Sequence, residues 1–374
     1  MSLLRALVLI LCLLPATAWS DEGAPQPPLD FSHSRFAAPD QQQCKHITLV
    51  FTGDTKLCGI TAQQMAKHGS AWPFRNVRDV LRSADLCFGN CETAITACTQ
   101  HTPGKSDAAI ARRGAFVFKS NPATSGAVLA DAGFDVMQLA NNHAMDWCGS
   151  GLLDTLAALD AAGIQHVGAG SDYASASAPL IVDVQGVKVG LLAYSLIVPP
   201  ASAAGNHMPG INFIPAYYQP LLRRQIAALR PQVDVLVTCF HWGVEGSTVA
   251  NQLQRDIAHL CIDSGADLVI GTHPHSFQGI EHYRDGLIAY SLGNFVFTGE
   301  PRQLAGGILR VEVEVSGDSP RLDEVALLPC WIKDGVPTPS QDPKLLGQLA
   351  TTTLHAGSQL APGEAGWLGV EPVP

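Results

Sequence analysis

In the stretch LVIGTHPHSFQG, residues 268–279, His273 and His275 stand two apart where an apolar run gives way to a loop. Imidazole binds metals and trades protons near neutral pH, yet a lone H-x-H pair also serves ordinary hydrogen bonding. Other metal-seeking residues recur at the same kind of place. Asp54 ends the β-rich run HITLVFTGD, Asn90 and Glu92 close DLCFGNCE, and Asn141, Asn142 and His143 close VMQLANNH. His241 ends DVLVTCFH, with Glu245 four residues on. Singly, each has an everyday explanation: Asp54 as a turn cap, the asparagines as turn residues, His241 as a hydrogen-bonded core histidine. Their joint recurrence at predicted strand ends favours a metal centre. Carboxylate, amide and imidazole donors, with no thiolate required, suit Mn, Fe or Zn and are numerous enough for two divalent transition metal ions. Two such ions about 3.5–4 Å apart, bridged by a carboxylate, activate water and clamp both oxygens of a displacement.

These residues need elements that deliver them to one edge. VRDVLRSADLCFGNCET reads as a helix followed by a strand, and Val136 to Ala140 as a strand preceded by a helix that ends at Gly133. Leu152 to Ala162 is a predicted helix closed by Gly163, and LIVDVQGVKVGLLAYSL a hairpin turned at Gln185-Gly186. Later segments, GLIAYSLGNFVF, GGILRVEVEV and RLDEVALLPCWI, supply strands expected to be antiparallel. Helices alternating with strands, then a run of strands, predict an α/β domain with mixed sheets. In such folds ligands gather at the C-terminal strand ends. The expected organisation is a signal peptide over 1–20, a flexible leader over 21–45, one domain over 46–335, and a Pro- and Gly-rich tail over 336–374. That tail carries a short helix near Lys344 to Leu354.

Composition narrows the partners. The 374-residue chain is 47% hydrophobic and 15% charged, as a packed globular protein is, and carries a net charge of -10. No Lys/Arg cluster offers a footprint for nucleic acid or anionic lipid. An anionic substrate would need local positive charge, such as bound metal ions. Arg5, the apolar run Ala6 to Leu14 and the small residues of ATAWS form a secretory signal, which predicts export to the periplasm or beyond, with no transmembrane anchor after cleavage. Of ten cysteines, nine remain after that cleavage. In an oxidising compartment most are expected to be disulfide-bonded or buried, with one left over. A cysteine hydrolase using Cys91, Cys148 or Cys239 is disfavoured on the same ground.

FTGD, GNCE, ANNHAMD, FHWGVE, GTHPHSFQG and YSLGNF, in this order between Ile47 and Phe297, resemble the CapA capsule biosynthesis family. That family is linked to poly-γ-glutamate synthesis and is similar to the calcineurin-like metallophosphoesterases. The resemblance implies their fold, a four-layer α/β-β/α sandwich of two mixed sheets. It implies Asp54 and His275 as ligands of a first metal, Glu92 as the bridging carboxylate, and Asn142, His241 and His273 as ligands of a second. His143 then resembles the histidine that protonates the leaving group. Asn90, Asn141, Asn294, Lys56 and Glu245 are expected to face substrate or support the ligands. Lys56 in GDTK replaces a histidine ligand, and GNCE replaces Gly-Asp-x-x-Asp-Arg-Gly, which implies a weaker first site. Lys56 then points at an anionic group or is simply an exposed lysine, and Glu245 is a ligand, a partner of a ligating imidazole or a surface acid. The implied activity is hydrolysis of a phosphoester, or of a γ-glutamyl amide in an anionic polymer, in company with capsule synthesis machinery. The alternative is a non-catalytic, metal-stabilised component of polymer assembly and export. His143 separates the two, because only a hydrolase depends on it.

Overall fold

The strand Lys45–Thr55 starts with alternating burial and is wholly buried from Leu49 onward, so its site end is covered on both faces. It lies in a computed structural model that describes residues 44–105, 110–111, 116–217, 219–298, 304–316 and 319–373. The expected signal peptide and nearly all of the expected leader lie outside the described residues. Residues 42–374 form one compact unit.

Two large mixed sheets make up that unit. In the first, Lys45–Thr55, Leu86–Cys91, Val136–Gln138 and Gln165–Val167 run parallel. On the other side of Lys45–Thr55, the antiparallel pair Leu304–Ser316 and Ser319–Lys333 extends the sheet. In the second, Val187–Ser195, Val235–His241, Leu268–Thr272 and Gly286–Leu292 run parallel. Antiparallel strands Leu180–Val184 and Phe277–Tyr283 close its edges.

Strand periodicity assigns the layers. Phe51, Phe88 and Val136 from the first sheet meet Val189, Val237 and Ile270 from the second in one buried cluster between the sheets. Their chain neighbours Val50, Cys87 and Met137 point the other way, against Leu129 of the helix Ser125–Ala132 and Leu152 of the helix Cys148–Ala161. On the far side Leu236 and Val269 pack with Ile226 and Ile257 of the helices Gln219–Leu229 and Gln252–Asp263. Each fully buried side chain of this kind contributes about 1.5–3 kcal/mol. The result is the expected four-layer sandwich, helices outside and two sheets within.

The segment from 336 onward, expected as a tail with a helix, adds to the first sheet. Val336–Pro339 pairs with Ser319–Lys333, and the hairpin of Ser358–Pro362 and Leu368–Pro372 pairs with the same strand. Its helix runs Pro343–Ala356 and buries Leu345, Leu349, Thr353 and Ala356. Prolines and glycines mark the turns between these short elements and hide the apolar residues from a composition-based reading.

Most of the cysteines are buried, the second of the two fates expected for them. Nine described cysteines are free thiols, and six of them are buried as small apolar residues. Burial pushes the Cys91 thiol up to about 12, so it is no thiolate nucleophile near neutral pH. Among the described residues, no helix is long and apolar enough to cross a membrane.

Candidate metal centre

Strand ends from both sheets meet at one edge. Gly286–Leu292 belongs to the second sheet, and after Gly293 the chain continues as Asn294–Val296, paired in parallel with Lys45–Thr55 of the first. Gly293 makes this crossing at φ 72°. Its carbonyl accepts from the Asp54 N–H at 3.0 Å. A Cβ on Gly53 would stand 1.9 Å from that carbonyl oxygen, so glycine is required for the two sheets to close beside Asp54. His273 and His275 both sit at positive φ, 98° and 55°. Non-glycine residues held there cost about 1–3 kcal/mol and persist where surrounding structure fixes them, commonly at functional sites.

Two overlapping triads result: Glu92, His241 and His273 form one, and Asp54, Glu92 and His275 the other, with ligand atoms within 4.8 Å of one another. Glu92 is common to both. It is fully buried, and neither carboxylate oxygen has a hydrogen-bond partner among the described residues. Its Oε1 lies 3.7 Å from His241 Nε2, 3.9 Å from His275 Nε2 and 4.0 Å from His143 Nε2. These separations are too long for hydrogen bonds. An orphaned buried carboxylate facing several imidazoles is costly for protein alone, and such buried charge is normally paired or coordinates a metal. The donor set fits divalent transition ions.

The remaining expected residues orient this set. Asn90 donates to Asp54 Oδ1 at 2.8 Å and accepts from Asn141 Nδ2 at 3.0 Å. Asn141 also donates to the Cys91 carbonyl, while its Oδ1 accepts from the His143 and Ala144 N–H groups. It therefore pins the turn that presents Asn142 and His143. Asn142 Oδ1 lies 2.8 Å from His241 Nε2, which in turn is 3.1 Å from His273 Nδ1. Asn294 Oδ1 is 2.9 Å from His275 Nδ1, and Asp54 Oδ2 is 3.2 Å from the same nitrogen. Lys56 is buried rather than exposed: its Nζ donates to the Thr298 carbonyl at 2.7 Å and lies over the rings of Phe118 and Phe297. Glu245 is exposed on the loop after His241 and belongs to neither triad.

Charge within the cluster is divided. Burial, then the neighbouring Asp54, raises the Glu92 carboxyl well above the usual range. Burial lowers His241 well below its ordinary value, and burial with the nearby His275 brings His273 down to about 4, so both rings are neutral and ready to ligate. For His275 burial works the same way, but the Glu92 and Asp54 carboxylates outweigh it and hold it up at about 10. His143 is lowered by burial against the opposing pull of Asp146.

Four supporting residues escaped the sequence reading. Asp146 Oδ2 lies 2.9 Å from His143 Nδ1, and Lys105 pairs with the same carboxylate. Phe118 stacks on His143 with ring centroids 4.0 Å apart, and Thr272 Oγ1 lies 3.0 Å from His241 Nδ1. Asp146 was within view, as the last residue of ANNHAMD three places after His143. Lys105 and Phe118 lie on a distant connection with no motif around them.

A four-layer sandwich with carboxylates, amides and imidazoles gathered at its strand ends defines a metallophosphoesterase-like protein. A family model described as bacterial capsule synthesis protein PGA_cap matches residues 48–299, and the chain belongs to that family. Capsule biosynthesis protein CapA of Bacillus anthracis is 29% identical over 295 residues, 78% of this chain and 69% of that protein. PGA biosynthesis protein CapA of Bacillus subtilis (strain 168) is 30% identical over 249 residues, covering 66% and 62%. A probable polyglutamine synthesis accessory protein of Mycobacterium tuberculosis is 34% identical over 235 residues, covering 60% and 59%. The chain thus spans between 59% and 69% of the length of these relatives.

Proposed function

We propose that the protein is an exported, metal-dependent hydrolase of the metallophosphoesterase type, acting on an anionic ester or γ-glutamyl polymer in capsule or poly-γ-glutamate metabolism. The observation that carries this reading is Glu92, buried, without a hydrogen-bond partner among the described residues, and shared by both triads. Asp54, Glu92 and His275 would hold one divalent ion, and Glu92, His241, His273 and the Asn142 amide the other. Bound ions would supply the positive charge that draws an anionic group to an acidic protein and that lowers the pKa of water.

The chain's own residues do the rest. Asn90, Asn141, Thr272 and Asn294 fix the ligands, and such partners are commonly worth 10–100-fold in metal affinity. Asp146 orients the His143 ring through Nδ1, which leaves Nε2 turned to the Glu92 side of the site. A proton on Nε2 can pass from there to a departing alkoxide, and burial makes His143 a readier donor by lowering its pKa. Export is inferred from the signal-like residues 1–20, and the capsule role from the names of the relatives.

Lys56 favours keeping a second reading. The family resemblance implies a histidine ligand at its position, and the Asp54 triad has no donor from Lys56, whose Nζ donates to the Thr298 carbonyl, as a non-catalytic, metal-stabilised assembly component would tolerate. Metal content and turnover of bis(p-nitrophenyl) phosphate by the purified chain distinguish the two. About two equivalents of Mn, Fe or Zn with turnover support the hydrolase, while bound metal without turnover on any phosphoester or γ-glutamyl amide supports the assembly role.

A further inference from the structure

Resting on the phosphoester form of the hydrolase reading, we infer that Lys105 is a positioning residue for the reaction, whose one ammonium braces both the acid His143 and the peptide that joins it to Asn142. Its Nζ pairs with Asp146 Oδ1 and donates to the Asn142 carbonyl at 3.0 Å. Asp146 is fully buried, and its other oxygen, Oδ2, lies 2.9 Å from His143 Nδ1 and accepts from the Phe118 N–H at 2.6 Å. A carboxylate gripped on both oxygens is held against turning, so the edge it shows to His143 is fixed. A buried charge needs a partner and hydrogen bonds, and Lys105 supplies the cation.

Local sequence delivers Lys105 to that place. Thr102, Pro103, Gly104 and Lys105 have the pattern of a type II turn, with proline second and glycine third. Gly104 takes φ 92°, and the Lys105 N–H donates to the Thr102 carbonyl at 3.0 Å. This is a backbone signature with no chemistry of its own, and its role exists only once the chain is folded. Thr102 then hooks the turn onto the residues after His143. Its N–H donates to the Asp146 carbonyl at 3.1 Å, and its hydroxyl donates to the Met145 carbonyl. The Cys148 N–H donates to the same hydroxyl at 3.0 Å. Thr102 is buried, so breaking any of these bonds leaves a polar group away from water without a partner.

The geometry does more than neutralise Asp146. Lys105 holds His143 at both ends, its ring through Asp146 and its backbone through the carbonyl of the preceding peptide. Phe118, from the same connection, stacks on the ring with centroids 4.0 Å apart and limits its tilt. A reacting group displaced by about 1 Å can lose about 10²-fold in rate. Glu92, His241 and His273 instead take their places from the ends of the strands Leu86–Cys91, Val235–His241 and Leu268–Thr272. Loss of Lys105 should therefore reach the acid before it reaches the metal.

The test compares the Mn-loaded full chain with its Lys105→Met variant on bis(p-nitrophenyl) phosphate and diphenyl phosphate. Phenolate is a stronger base than p-nitrophenolate, so its departure leans more on a proton from His143. Expected is a loss of kcat of about tenfold or more on diphenyl phosphate and a smaller one, about threefold, on the nitrophenyl ester. Mn content should stay near the parent's, with the fold intact by circular dichroism. Lys105→Arg, which keeps the charge and enough donors for both acceptors, should recover most of the diphenyl phosphate rate. In a His143→Ala background, Lys105→Met should cost less than about twofold on diphenyl phosphate, because a residue that acts through His143 has nothing left to position. Equal losses on the two esters, an unchanged rate on diphenyl phosphate, or a full further loss in the His143→Ala background would each overturn the assignment. Should Lys105→Met not fold, Thr102→Val unhooks the turn while keeping the ammonium. The same skew against diphenyl phosphate is then expected, and its absence overturns the assignment. If the parent turns over neither ester, the hydrolase reading fails first and the positioning role falls with it.

Discussion

At the scale of single residues, the two histidine roles separate cleanly. His143 is in neither triad and is oriented by Asp146, so His143→Ala should lower turnover by about 10²–10⁴-fold while metal content stays near that of the parent. Metal loss together with activity, read by elemental analysis, would remove the acid role. Glu92→Gln should instead cost both equivalents, because both triads need that carboxylate. The pH dependence follows from His275. Its proton, held by Glu92 and Asp54 up to a pKa of about 10, must leave before the ring can ligate. His273, already neutral above about 4, carries no such cost. Ion uptake at the Asp54 triad should therefore strengthen more steeply as pH rises from 6 to 9 than uptake at the His241–His273 triad, because both share the raised Glu92 carboxyl and only the first must also release the His275 proton. Stepwise calorimetry across this range would show two sites with different pH slopes, and identical slopes would contradict the assignment.

At the scale of elements, the site depends on how strands end. The sequence reading placed Asp54, Glu92, Asn142, His241 and His273 after strands, and each does follow or close one. Alternating and continuous apolar runs make that legible, because a strand buried on both faces must stop where polar residues begin. The glycines in FTGD and YSLGNF carry a meaning the sequence did not disclose. Gly53→Ala should destabilise the fold by about 3 kcal/mol or more, since its Cβ would overlap the Gly293 carbonyl where backbone cannot yield cheaply. Denaturant unfolding with parallel metal analysis would check it, and a variant of parental stability would show that the sheets are free to separate there. A gentler element-level change is Thr272→Val, which removes the oxygen 3.0 Å from His241 Nδ1. Metal affinity at the His241–His273 triad should fall by about 10–100-fold, with the fold intact by circular dichroism.

For the whole molecule, the buried cluster links metal to stability. An ion that binds only the folded state adds about 2.7 kcal/mol at a hundred times its Kd. Chelator should lower Tm by several degrees, Mn should restore it, and Glu92→Gln should show neither response. A Tm indifferent to Mn in the parent would mean that the buried carboxylate is satisfied some other way. The sequence by itself determined the α/β class, the order of the motifs and the residue types at the strand ends, because periodicity and donor chemistry are local properties of the chain. Only the tertiary structure decided that Glu92 is shared between two triads, that Asn141 is a turn pin rather than a ligand-facing group, and that Lys56 is buried between Phe118 and Phe297. It also decided that residues beyond 336 complete the first sheet. Those facts join residues far apart in the chain, and the energy of such meetings is set by burial and distance, which no local pattern encodes.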